Sequence, residues 1–211
     1  MVKKVERIIK ILNRKYKVRP RKEDPFIMLI ACILSQRTKD ETTEEATKKL
    51  FNAVRSPEEI LSLSTKKLEK LIYPVGFYRQ KAKRIKELCK ILLESYKGKV
   101  PKTREELLKL PGVGFKTADV VLSYGYGKDV VAVDTHVAVI SRRLGLTKSE
   151  DPEKIREDLH RLIPVKLRRS VNLLFVEFGK DVCRTVKPKC SVCPLKDYCE
   201  YYKEIKGKES F

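Results

Sequence analysis

The chain has 211 residues, with 48 Lys and Arg against 28 Asp and Glu, a formal net charge of +20. That length allows one domain or two small ones, and a 42% hydrophobic content supplies a real core, which excludes a disordered basic tail. No apolar run approaches the ~18 residues of a membrane span.

Charges at Lys3, Lys4, Glu6 and Arg7 interrupt the only stretch that a secretory signal could use. A cytoplasmic, nucleoid-associated protein with no membrane partner is therefore expected. The surplus of 20 positive charges makes a polyanion the expected partner, because each neutralised phosphate releases counterions. Solvated lysine-rich helix faces are the alternative source of such charge, but those usually balance Lys with Glu.

The periodicity is helical from the start. Val5, Ile8, Ile9, Ile11 and Leu12 form one stripe. Asp24-Pro25 reads as an N-cap and first-turn proline opening Phe26 to Leu34, and Ser56-Pro57 opens Glu58 to Leu63 in the same way. Thr103-Arg104-Glu105-Glu106 has the form of a capping box. Val130 to Val133 is the one β-like run, too short and isolated to build a sheet, and Asp151-Pro152 opens a late helix. About ten helices averaging a dozen residues are expected, so the fold class is all-α.

Between Leu110 and Ala118 lies Leu-Pro-Gly-Val-Gly-Phe-Lys-Thr-Ala. A Gly-x-Gly between two helices makes a tight turn whose N–H groups, at Gly112, Val113 and Gly114, can cradle a phosphate. With no preceding strand and no third glycine, a dinucleotide fingerprint fails, and a helix–hairpin–helix that grips DNA phosphates fits. Lys116 falls in the first turn of the second helix, where the helix N-terminus disfavours a cation and frees the amine for attack. Eighteen residues on, Asp134 opens another helix, as an ordinary N-cap or as a reacting carboxylate. His136 is expected to be a hydrogen-bonded structural group and His160 an inert surface residue.

Cys183, Cys190, Cys193 and Cys199 have the spacing Cys-x6-Cys-x2-Cys-x5-Cys. Disulfides are disfavoured in a reducing cytosol, and structural zinc usually takes two Cys-x2-Cys pairs. The unequal spacings favour a single [4Fe–4S] cluster over zinc. Arg184, Lys187 and Lys189 fill the loop between the first two cysteines, either offsetting thiolate charge or presenting cations to DNA. Cys32 and Cys89 lie in apolar stripes and read as core.

Taken together, these motifs resemble the endonuclease III family of helix–hairpin–helix DNA glycosylase/lyases. Ile33-Leu34-Ser35-Gln36 with Asp40, and Gly76-Phe77-Tyr78-Arg79-Gln80-Lys81-Ala82, add to the likeness, which spans essentially the whole chain. The resemblance implies two lobes. One is a six-helix barrel at 18–128 containing the hairpin (about 104–124). The other, at 1–17 and 129–211, is an iron–sulfur domain with its cluster loop at 183–199. It implies a monomer acting on double-stranded DNA with damaged bases or abasic sites, the damaged nucleotide swinging into a cleft. Lys116 would attack C1′ and form a Schiff base, Asp134 would accept the lysine proton or steady the sugar cation, and β-elimination would cut 3′ to the lesion. Oxidised pyrimidines are the implied lesions.

The family fills the gap left by a flipped base from two loops, here Gln36-Arg37 and Phe77, with Arg37 at the usual glutamine position. Related mismatch and adenine glycosylases carry Tyr or Ser at the Lys116 position, and 8-oxoguanine glycosylases lack the cysteine tail. A T/G- or U/G-mismatch glycosylase is thus the nearest alternative. A DNA-bound redox or scaffold protein is the alternative from another class, and the Lys116–Asp134 pair tells against it.

Overall fold

The computed structural model describes residues 1–208, which among themselves are all-helical, with twelve α-helices and no strand. The count exceeds the expected ten because several helices are only four to eight residues long, each closed off by its own cap. No described helix is long and apolar enough to cross a membrane. The chain divides into two compact units, Lys22–Gly127 and, separately, Met1–Arg21 together with the segment from Lys128 onward.

The 22–127 unit is built around α2 (Pro25–Ser35). Asp24 starts it: Oδ1 accepts from the N–H of Phe26 at 2.8 Å and of Ile27 at 3.1 Å, and Pro25 takes the first turn, where its missing donor is harmless. The helix is apolar on every side, as a central helix must be, and buries Phe26, Leu29, Ile30, Ile33 and Leu34. Each contributes roughly 2 kcal/mol of transfer free energy. Around it pack α3 (Asp40–Ala53), α6 (Tyr78–Tyr96) and α8 (Phe115–Val120), while α4 (Pro57–Ser62) and α5 (Thr65–Ile72) lie against α6. Ser56 and Ser64 cap α4 and α5 by accepting from Glu59 and Lys67 N–H groups.

The other unit encloses a second core. Helix α1 (Val2–Tyr16) turns Val5, Ile8, Ile9 and Leu12 against α11 (Arg168–Asp181), which supplies Val171, Leu174, Phe175 and Phe178. The ends of these helices are tied together, Lys15 Nζ and Tyr16 Oη both donating to Asp181 Oδ2 at 2.7 and 2.9 Å. Helices α9 (Thr135–Arg143) and α10 (Pro152–Leu162) complete this core, and α12 (Glu200–Lys208) packs on α9. The β-like run before α9 lies outside any helix and pairs with no strand among the described residues. Instead Val131 N–H donates to His160 Nε2 at 3.0 Å. His160 is therefore no inert surface residue; it anchors the segment that delivers Asp134.

Candidate functional site

The hairpin begins with α7 (Arg104–Leu107). Thr103 Oγ1 accepts from Glu106 N–H, and its hydroxyl donates to Glu106 Oε2 at 2.6 Å, so the capping box closes through the hydroxyl. Tight turns follow: Leu110 N–H donates to Leu107 O and Val113 N–H to Leu110 O, both at 3.1 Å. Gly112 has φ +80°, and a Cβ there would come within 2.4 Å of Arg84 Cδ, so this turn requires glycine. Val113 corrects the sequence reading: its side chain is buried and its N–H is spent inside the turn, so it supports the hairpin and neither group is turned to a ligand. At Gly114 a Cβ would meet nothing within 4 Å, which marks the open side.

Lys116 follows two positions later, exposed, as the second residue of α8. Its helix is fixed from beneath. Thr117, Ala118 and Asp119 are buried, and Asp119 Oδ1 pairs with Arg104 Nε at 3.2 Å across the hairpin. Removing one partner of such a buried pair strands the other charge, at about 3–5 kcal/mol. The Arg104 guanidinium also lies 4.8 Å from the Phe115 ring. Beyond Val120 the helix widens into a π-turn, Val121–Gly125, with Tyr126 N–H reaching back to Val121 O. On α2, burial pushes the Cys32 thiol up to about 12 against a smaller downward pull from the Lys116 ammonium.

Two loops join the hairpin in the same unit. Gln36 Nε2 donates to Gly112 O at 2.9 Å. Arg37 and Phe77 are both in the left-handed region, with φ 52° and 57°, and the Arg37 guanidinium lies 5.7 Å from the Phe77 ring, which is 54% exposed. Here the structure brings Gln36, Arg37, Phe77 and the glycine turn together.

Asp134 belongs to the other unit, where both its oxygens are held. Oδ1 accepts from Val137 N–H at 2.8 Å, capping α9, and Oδ2 accepts from Asn172 Nδ2 at 3.1 Å. Asn172, 8% exposed, also donates to Ala132 O at 3.0 Å and so fixes the carboxylate against the chain that precedes it. The sequence reading missed Asn172 because nothing in local spacing links it to a residue 38 positions away. His136 also departs from expectation: its Nδ1 is buried against Gly179 of α11, with no hydrogen-bond partner among the described residues.

The four tail cysteines line one cavity of about 290 Å³, part of it open to solvent, together with Arg143, Tyr201 and Tyr202. Among the described residues no three His, Cys, Asp or Glu side chains converge as a single ion would need; the sulfurs share a wall. Burial pushes Cys193 up to about 11, and the three neighbouring thiols push it further the same way. Leu195 N–H donates to Cys193 Sγ and Arg143 Nη1 to Cys183 Sγ, each at 3.4 Å. A cavity walled by four sulfurs, with N–H groups aimed at two of them, fits a thiolate-ligated cluster. Arg143 does more: it donates to the carbonyls of Cys183, Arg184 and Thr185 and lies 4.9 Å from the Tyr201 ring. It holds the loop that leaves Arg184 and Lys187 exposed.

Residues 30–165 match the family of HhH-GPD superfamily base excision DNA repair proteins. Over 204 residues the chain is 46% identical to the endonuclease III of Thermotoga maritima, covering 97% of this chain and 95% of that one. A trapped endonuclease III–DNA covalent intermediate, an estranged-adenine complex, superposes with TM-score 0.87 at 33% identity, covering 98% of this chain and 99% of that one. A thermostable thymine-DNA glycosylase gives the same TM-score at 27% identity, over 96% of this chain and 98% of that one. The chain thus belongs to the endonuclease III family of HhH-GPD superfamily base excision DNA repair proteins.

Proposed function

We propose that this DNA glycosylase/lyase removes oxidised pyrimidines from double-stranded DNA and cuts the strand through Lys116 and Asp134. The observation that carries this reading is the exposed Lys116, two residues after the Gly112–Gly114 turn, on a helix held by the buried Arg104–Asp119 pair. The nucleotide leaves the stack first, because C1′ is unreachable inside it. The lone pair of Lys116 Nζ then bonds to C1′ as the bond from C1′ to the base nitrogen breaks, and the base leaves with that electron pair and takes up a proton. Loss of the Nζ proton and opening of the sugar ring give the Schiff base. Removal of a C2′ proton expels the 3′ phosphate and cuts the strand. The Asp134 carboxylate accepts the lysine proton or faces the positive charge developing on the sugar, and Asn172 keeps it aimed.

Gly112, Gly114, Arg184 and Lys187 serve the phosphates, and Arg37 and Phe77 the gap left in the duplex. We read residues 22–127 as the barrel domain and the remainder as the cluster domain, the enzyme acting as a monomer. Cys183, Cys190, Cys193 and Cys199 would hold a [4Fe–4S] cluster, which when bound supplies a rigid thiolate–iron knot. The reaction itself is carried by the chain's own side chains.

The reading is tested on duplexes bearing thymine glycol, a T·G mismatch or a bare abasic site, scored for nicking with and without alkali. Nicking without alkali at the first and third supports it. Processing of the T·G duplex alone, cut only by alkali, overturns it in favour of a mismatch glycosylase. For the tail, Cys193→Ser is expected to lose the brown absorbance of the loaded protein together with solubility and activity. A soluble, fully active variant without that absorbance rejects the structural role.

A further inference from the structure

We infer that Lys81 is a positioning residue: from α6 its ammonium holds the loop after α2 and, through Thr38, the loop before α6, so that Arg37 and Phe77 meet the duplex as one rigid element. The inference rests on the reading of Arg37 and Phe77 as the gap-filling residues and extends it.

Lys81 is 3% exposed. Its Nζ donates to Leu34 O at 2.7 Å, Gln36 O at 2.6 Å and Thr38 Oγ1 at 3.0 Å, so all three ammonium hydrogens have acceptors. Thr38 Oγ1 in turn accepts from Gly76 N–H at 3.1 Å, which carries the link from one loop to the other. The loops touch directly: a Cβ at Gly76 would lie 2.6 Å from Arg37 O. Immediately beside these contacts stand Arg37 and Phe77, two non-glycine residues in left-handed backbone. Such conformations persist only where surrounding contacts over-determine them, and here Lys81 and Thr38 supply the contacts.

The same assembly reaches the hairpin. Gln36, whose carbonyl Lys81 holds, has its side chain committed to Gly112 O, which leaves Arg37 and Phe77 as the residues presented outward. Within residues 22–127 the exposed large hydrophobic side chains are Tyr73, Phe77 and Phe115, all aromatic, and all on these loops or the hairpin. Exposed rings beside guanidinium groups suit bases that have lost their stacking partner. Helical period places Lys81 on the face that continues as Ile85, Leu88 and Leu92, where an apolar residue would pack at no desolvation cost. Desolvation, with a smaller push from Arg84, lowers its ammonium to about 8. The cation is thus held against its solvation by three acceptors at the end of α2 and in the loop after it.

The test compares single-turnover rates of Lys81→Met, Thr38→Val, Phe77→Ala and Arg37→Ala on two substrates, well below the lowest melting midpoint. One is a thymine glycol duplex; the other is a single-stranded oligonucleotide with a preformed abasic site, which needs no duplex opening. Lys81→Met and Phe77→Ala are expected to slow the duplex reaction by about 10- to 100-fold while staying within about twofold on the single strand. Thr38→Val, which keeps the shape and removes only the hydroxyl, is expected to follow Lys81→Met. Wild-type duplex rates for Lys81→Met and Thr38→Val with a slow Phe77→Ala overturn the role of Lys81. Equal losses by Lys81→Met on both substrates overturn it too, as a general loss of the fold. Wild-type duplex rates for both Phe77→Ala and Arg37→Ala mark the failure of the gap-filling reading instead.

Discussion

Lys116→Gln is expected to abolish strand cutting at thymine glycol and abasic sites, by at least about 10³-fold, because the covalent route loses its nucleophile. The side chain is exposed and the replacement helix-compatible, so the melting midpoint is expected to stay put. DNA affinity is expected to fall little, since one charge of a net +20 is lost and the salt slope changes by at most about 0.9. Borohydride reduction of wild-type reactions is expected to yield a protein–DNA crosslink that the variant lacks. A crosslink that survives undiminished in Lys116→Gln assigns the chemistry to another amine.

Asp134→Asn separates two jobs done by one carboxylate. As the cap of α9, asparagine serves as well as aspartate, so stability is expected to change by less than about 1 kcal/mol. As proton acceptor and counter-charge, an amide fails, and its NH₂ would meet the Asn172 donor that now faces Oδ2. Single-turnover base release is expected to drop by about 10²- to 10⁴-fold. A rate within threefold of wild type would reduce Asp134 to a helix cap. A midpoint that falls steeply would instead put its main role in folding.

Local chemistry made much of this molecule legible in advance. Asp24-Pro25, Ser56-Pro57 and Asp151-Pro152 announce helix starts because cap and first turn are neighbours in the chain, and each is used so. The glycine turn with Lys116, and the spacing of the four cysteines, are equally local. What escaped was long-range. Asn172 on Asp134, Arg143 on the 183–185 carbonyls and His160 under Val131 join residues 29 to 42 positions apart that share no sequence period. Val113 was misread for a related reason: a Gly-x-Gly shows where a chain turns, but not which of its N–H groups the turn consumes. Lys81 alone left a usable trace, a charge set into an apolar stripe.

The π-turn at Val121–Gly125 bears on how the nucleophile is aimed. Its far end is bolted to the start of α2, with Glu23 N–H donating to Tyr124 O at 2.9 Å and Gly125 packed against Pro25. One surplus residue in that turn offsets everything upstream by about 100° around the axis, since a regular helix advances that angle per residue. Trimming a single position there would leave the amine intact and the helix better formed, yet swing Lys116 round to a different compass bearing.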